Sequence, residues 1–125
     1  MKNYNKTIGK FGEDIATNFL VKNKYKIIER NYSCKFGEID IIARYENTIV
    51  FVEVKTRTTT RYGSPASAVN YYKQQNIIKT AKYYILNKNI KNMFFRFDVV
   101  EVLLYNDDNK FIEKNVNLIK NAFYG

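Results

Sequence analysis

A chain of 125 residues with 46% hydrophobic and 26% charged side chains has ordinary globular composition and room for one domain, 1–125, with its own core. Its 21 Lys and Arg outnumber 12 Asp and Glu, a formal charge of +9 that favours a polyanionic partner, nucleic acid ahead of an anionic membrane surface. The lack of histidine excludes serine-protease triads and His-based zinc sites, and the lone Cys34 excludes a disulfide framework or thiolate zinc cluster.

The N-terminal "MKNYNKTIGK" lacks the apolar run of a signal peptide, and no segment approaches the roughly 18 apolar residues of a membrane span. A soluble, cytoplasmic chain without a membrane partner is expected. From Thr7 to about Lys24, Ile8, Phe11, Ile15 and Phe19 recur at three- and four-residue steps, which predicts a helix with one buried stripe and Glu13 at its edge. Three strands follow in "YKIIERNYSC", "GEIDIIARY" and "TIVFVEVKT", with "EN" as the turn between the second and third.

"TRTTTRYGSPASA" reads as a polar loop, after which Ser64 as cap and Pro65 as first residue open a helix running to about Asn87. "MFFRFDVVEVLLY" is apolar almost throughout, as a central strand would be. "NDDN" is a turn, "KFIEKNV" a short edge strand or extended piece, and "NLIKNAFY" a closing helical turn or two.

A symmetric hairpin about Glu46-Asn47 sets Asp40 opposite Glu53 and Glu38 opposite Lys55. Carboxylates on directly opposed strand positions, whose Cβ atoms lie about 4.5–5.5 Å apart, repel unless something stands between them. A divalent cation with hard oxygen ligands is the natural candidate. Lys55 shares a face with Glu53, where its ammonium is placed to orient water and balance developing negative charge. The residues alone leave a second reading open, a Glu–Lys pair on a solvated strand face. Gln74 falls on the core-facing stripe of its helix, so its amide either bridges backbone groups or lines a site. Arg96 and Asp98 share a strand face and read as a structural pair.

Asp40, twelve residues, then Glu53-Val54-Lys55 resembles the PD-(D/E)XK nuclease signature, and α-β-β-β-α-β resembles that superfamily's core order. More closely, "GKFGEDIATNFL", "ERNYSCKFGEIDIIAR", "VFVEVKTR", "YGSPASAV", "KQQNI" and "RFDVVEV" together resemble the YraN-like family of endonucleases, itself similar to Holliday-junction resolvases. The likeness runs from about Gly9 to Val102. It implies an α/β, restriction-endonuclease-like fold with a mixed central sheet flanked by helices.

The resemblance further implies metal-dependent hydrolysis of nucleic-acid phosphodiesters, DNA favoured and branched DNA included, with Mg²⁺ or Mn²⁺ held by Asp40, Glu53 and the Val54 carbonyl. Lys55 is the implied catalytic lysine, Glu13 the helical carboxylate that completes the site, and Gln74 the side chain reaching in from the second helix. Glu38 belongs to the shared block without an implied role. Arg57, Arg61 and Lys73 are candidates to hold flanking phosphates. By analogy with resolvases a homodimer is implied. The first acidic residue stands in "EID" rather than after a proline, and the turn is "YEN" where the family carries glycine. The competing reading is a non-catalytic nucleic-acid-binding module on the same fold.

Overall fold

The computed structural model describes residues 2–59, 69–107 and 110–125. Within them the chain runs α1 (Lys2–Lys22), β1 (Lys26–Cys34), β2 (Gly37–Tyr45), β3 (Thr48–Thr59), α2 (Tyr71–Asn87), β4 (Phe94–Asp107) and β5 (Lys110–Phe123). The strands form one five-stranded mixed sheet in the order β1-β2-β3-β4-β5. Neighbours are antiparallel except β3 and β4, which are parallel because α2 carries the chain back between them.

Each face of the sheet carries one helix. Alternation along β3 shows how: Ile49 and Phe51 point to α2, while Val50 and Val52 point to α1. On the α1 face, Ala16 and Leu20 pack on Ile41, Ala43, Val100 and Leu104. On the α2 face, Ile77, Ile78, Ala81 and Tyr84 pack on Ile42, Phe51, Phe97 and Val99. A fully buried aliphatic or aromatic side chain contributes roughly 1.5–3 kcal/mol, so these two layers, rather than helix propensity, hold α1 and α2 in place. Gly12 permits a close approach on the first face: a Cβ there would lie 1.9 Å from Thr56 Oγ1. That contact seats α1 on β3 and sets the height of the next residue, Glu13. No helix among the described residues is long and apolar enough to cross a membrane.

The hairpin has the expected register, with Tyr45 opposite Thr48 and Ile41 opposite Val52. Glu46 takes a left-handed φ of 53° in place of glycine, and Arg44 Nε donates to its carbonyl at 2.8 Å. Two expected elements differ. The second helix opens at Tyr71, not Pro65; Asn70, with φ −70° and ψ 162°, is its cap and accepts from Lys73 N at 2.8 Å. Ser64 and Pro65 lie outside the described residues.

The closing segment "NLIKNAFY" is not helical but the second half of β5. Leu118, Ile119, Ala122 and Phe123 mimic a helical spacing, but the open edge of β4 offers a full ladder of backbone partners. Val116 and Leu118 meet the α1-side core, and a register shift at Asn121 lets Phe123 stack on Phe97 on the other face, centroids 5.1 Å apart.

Candidate active site

The β2–β3 ladder stops at Ile41–Val52. Beyond it β2 stays with β1 as far as Gly37, while β3 stays with β4 as far as Thr59. The two strands separate at Asp40 and Glu53, and the gap is closed by a side chain: Asp40 Oδ2 accepts from Val54 N at 2.8 Å. In extended backbone a residue's N–H and C=O point to the same strand edge. The Val54 carbonyl therefore faces this gap as well.

Gly37, with φ 154°, starts β2 after a tight turn, and a Cβ there would press within 3.2 Å of Thr80 Oγ1 on α2. Both features bring the start of β2 close beneath α2. The result is a cavity of about 410 Å³ lined by Glu38, Asp40, Glu53, Tyr72, Lys73 and Asn76, among others.

Glu53 continues the Ile49–Phe51 row and is 3% exposed. Lys73 Nζ contacts its Oε2 at 2.5 Å, and Lys55 Nζ lies 3.9 Å from the same oxygen. Asp40 hydrogen-bonds Glu53, and its carboxyl is pushed up to about 8, by burial first and by the Glu53 charge second. The Val54 N–H pulls the other way, and Glu13 adds a smaller upward push. Asp40 therefore holds its proton near neutral pH. Lys73 loses favour for its charged form through burial, yet its contact with Glu53 and the charges of Asp40 and Glu38 raise it overall.

Glu13 stands on the α1 side of the sheet, in a neighbouring cavity with Arg30, Asn31 and Glu38. Arg30 Nη2 lies 3.6 Å from Glu13 Oε1 and donates to Asp14 Oδ1 at 2.9 Å, which holds the Asp14 carboxyl below the usual range. With its amide NH₂ turned to the carboxylates, Asn31 donates to Glu13 Oε1 at 3.1 Å and to Glu38 Oε1 at 3.2 Å. Glu38 lines both cavities. It joins Glu13 to Asp40 and Glu53 across the edge of the sheet.

Of the side chains singled out in the sequence, Asp40, Glu53, Lys55 and Lys73 meet at one point, with Glu38 and Glu13 beside it. Gln74 does not reach them. Its Nε2 donates to Val69 O at 2.8 Å, and it lines a separate cavity with Val99, Glu101 and Ile119. One residue earlier, Lys73 is the side chain that α2 sends to the carboxylates. Arg57 lies half-buried further along β3, opposite Leu103, and Arg61 is outside the described residues.

Asn31 was not among the sequence candidates. Its signal is an amide in mid-strand, where Asn is disfavoured, and the structure gives it a left-handed φ of 55°.

Does this donor set fit a small divalent cation? Hard carboxylate oxygens and a backbone carbonyl are the ligands Mg²⁺ or Mn²⁺ takes, usually one or two carboxylates completed by water and phosphate. Two touching carboxylates that must hold a proton or a lysine are relieved by such an ion. Among the described residues no group of three or more His, Cys, Asp and Glu converges as a cage. Asp40 and Glu53 are thus suited to an open, two-carboxylate site.

The profile described as "Uncharacterised protein family UPF0102" matches residues 12–102. The chain belongs to the UPF0102 family. A UPF0102 protein of Clostridium tetani (strain Massachusetts / E88) is 49% identical over 125 residues, covering 98% of both chains. One from Caldanaerobacter subterraneus subsp. tengcongensis is 53% identical over 124 residues, 98% of this chain and all of the relative. Another from Clostridium botulinum (strain 657 / Type Ba4) is 53% identical over 120 residues, 95% of each. The UPF0102 match spans α1 from Gly12, the hairpin, α2 and β4 to Val102, and so includes every side chain at the carboxylate pair.

Proposed function

We propose that this UPF0102 protein is a metal-dependent endonuclease with a restriction-endonuclease-like core, hydrolysing phosphodiester bonds of nucleic acid. The observation that carries the reading is the buried Asp40–Glu53 contact at the point where β2 and β3 part, flanked by Lys55 and Lys73. Repelling carboxylates held together by the fold are a cation site in waiting, and two lysines at its rim suit a phosphate. Asp40, Glu53 and the Val54 carbonyl would hold Mg²⁺ or Mn²⁺. When bound, the ion polarises the scissile phosphate and lowers the pKa of water.

The chain's own residues have distinct tasks in this scheme. Lys55 orients the attacking water and balances charge as the phosphate expands. Lys73, at the rim of the cavity, would anchor a non-bridging phosphate oxygen. Asn31 and Arg30 hold Glu38 and Glu13 at the site's far wall. The net charge of +9 draws in the polyanion, with a strong dependence on salt.

The test is cleavage of labelled single-stranded, duplex and branched DNA and RNA with Mg²⁺ or Mn²⁺ against a chelator, for the native chain, Glu53→Gln and Lys55→Ala. Metal-dependent cutting lost in both variants is the expected result. Salt-sensitive binding with no cutting of any substrate would move the protein to the binding-module reading.

A further inference from the structure

The cavity wall contributed by α2 has a feature that hydrolysis does not use. Tyr71 and Tyr72, on the first turn of the helix, are 74% and 77% exposed. Elsewhere the rings pack on one another, as in Tyr32–Tyr84 and Phe51–Phe97, but among the described residues neither Tyr71 nor Tyr72 has a ring partner. Tyr72 nonetheless lines the same cavity as Asp40, Glu53 and Lys73.

Tyr72, Asn76, Lys79 and Tyr83 follow at steps of four, three and four residues, which puts them on one helix face about 16 Å long. The far end is aromatic and basic too. The exposed Tyr83 ring meets the exposed Phe36 edge-on at 6.2 Å, and Lys35 Nζ stands 5.2 Å over the Phe36 centroid. Exposed aromatics interleaved with lysines along a groove are what a single nucleic-acid strand needs, a π-face for each base and a cation for each phosphate.

We propose that this face of α2 is a track for an unpaired strand, with Tyr72 stacking on the base next to the scissile phosphate. The inference rests on the hydrolytic reading of the carboxylate pair and names its substrate class: a nucleic acid whose nucleotide at the cut is unpaired. Burial of the reacting groups agrees with this. Glu53 lies on the cavity floor, so a phosphate must be drawn inward to reach it. A strand free of its complement bends in at little cost and offers Tyr72 an open base face, whereas in continuous duplex each base face is already stacked on its neighbours. The track also accounts for the large Tyr72 side chain left in solvent at the edge of the cavity.

The experiment uses the full chain carrying Glu53→Gln, so that binding is read without cutting, and an oligonucleotide with 2-aminopurine at successive positions. Fluorescence reports stacking and anisotropy reports affinity, for the single strand and for the same sequence as a duplex. Expected is quenching on binding of the single strand, lost with Tyr72→Ala and restored with Tyr72→Phe. Single-strand affinity should fall roughly 10- to 100-fold in Tyr72→Ala, with duplex affinity unchanged. Tyr83→Ala should weaken single-strand binding without touching the quenching at the cut.

Equal losses for single strand and duplex, or no loss at all, would overturn the track. The native chain separates this outcome from failure of the hydrolytic reading. Cutting with no single-strand preference and no effect of Tyr72→Ala removes the track and leaves the nuclease. Tyr72-dependent stacking without cutting leaves the track on a binding protein.

Discussion

Asp98 and Glu53 are both buried acids on the sheet's one parallel pair of strands, yet they are compensated in opposite ways. Asp98, 0% exposed, accepts two bonds from Arg96, Nε to Oδ1 and Nη2 to Oδ2, both at 2.9 Å, and a third from Asn121 N at 3.0 Å. Arg96 in turn donates to the Tyr25 hydroxyl at 2.7 Å. Both carboxylate oxygens have fixed donors, and the register shift in β5 supplies one of them. Glu53 instead faces a second acid, Asp40, and among the described residues is matched by the ammonium groups of Lys73 and Lys55. A buried charge with rigid neutral partners and one bidentate counter-ion is a structural device. A carboxylate set against a second carboxyl, with Asp40 holding a proton near neutral pH and two partly exposed lysines beside it, is a far less saturated arrangement.

The sharpest way to break this comparison is at its structural end. Asp98→Ala leaves Arg96 buried and unpaired and should cost about 3–5 kcal/mol of folding stability, measured by urea unfolding. A loss below about 1 kcal/mol would show the two sites to be alike. Glu53→Gln should cost far less, about 1 kcal/mol or below, because Asp40 carries a proton near neutral pH and the Lys73 and Lys55 ammonium groups left behind reach solvent. Cleavage, by contrast, should fall at least ~100-fold through loss of a metal ligand.

The pH dependence of stability sharpens the same contrast. The Asp40 carboxyl ionises near 3.8 in the unfolded chain and near 8 in the folded one. Its contribution is therefore complete below about pH 4 and is lost as pH rises through about 8. Without divalent cation, thermal and urea stability should decline across that window with a slope of at most ~1.4 kcal/mol per pH unit, one proton's worth. Asp40→Asn should flatten the decline, and added Mg²⁺ should offset it most at the alkaline end. The smallest effect tests the frame around Lys73. Asn70→Ala removes the cap of α2 and should cost about 1 kcal/mol.

The helix of α1, the alternating strands and the hairpin about Glu46-Asn47 were legible because local periodicity and tertiary packing agree there. The expected stripe of α1 is turned, however: Ala16 and Leu20 are fully buried while Phe11 is 37% exposed. The hairpin register followed from symmetry alone and held at all five pairs from Ile41–Val52 to Tyr45–Thr48, but the ladder ends there, one step short of the expected Asp40–Glu53 pair and three short of Glu38–Lys55. The Arg96–Asp98 pair was legible for the same reason, two residues on one strand face. The closing strand was not, because "NLIKNAFY" has helical spacing and its strand form depends on the free edge of β4. Nor was the choice of Lys73 over Gln74. It turns on where α2 begins, and that is decided by the Asn70 side chain meeting Lys73 N rather than by Ser-Pro upstream.

The sequence by itself thus determined the two-sided sheet, the net charge of +9 and the pair of acids on adjacent strands, all of which depend on residue type and short-range period. Only the tertiary structure decided that β2 and β3 part where those acids stand, that Glu38 and Asn31 tie the helical Glu13 to them, and that Lys73 and Tyr72 form the opposite wall. Those outcomes depend on how far strands follow competing neighbours and on the angle at which a helix is capped. No local pattern encodes either.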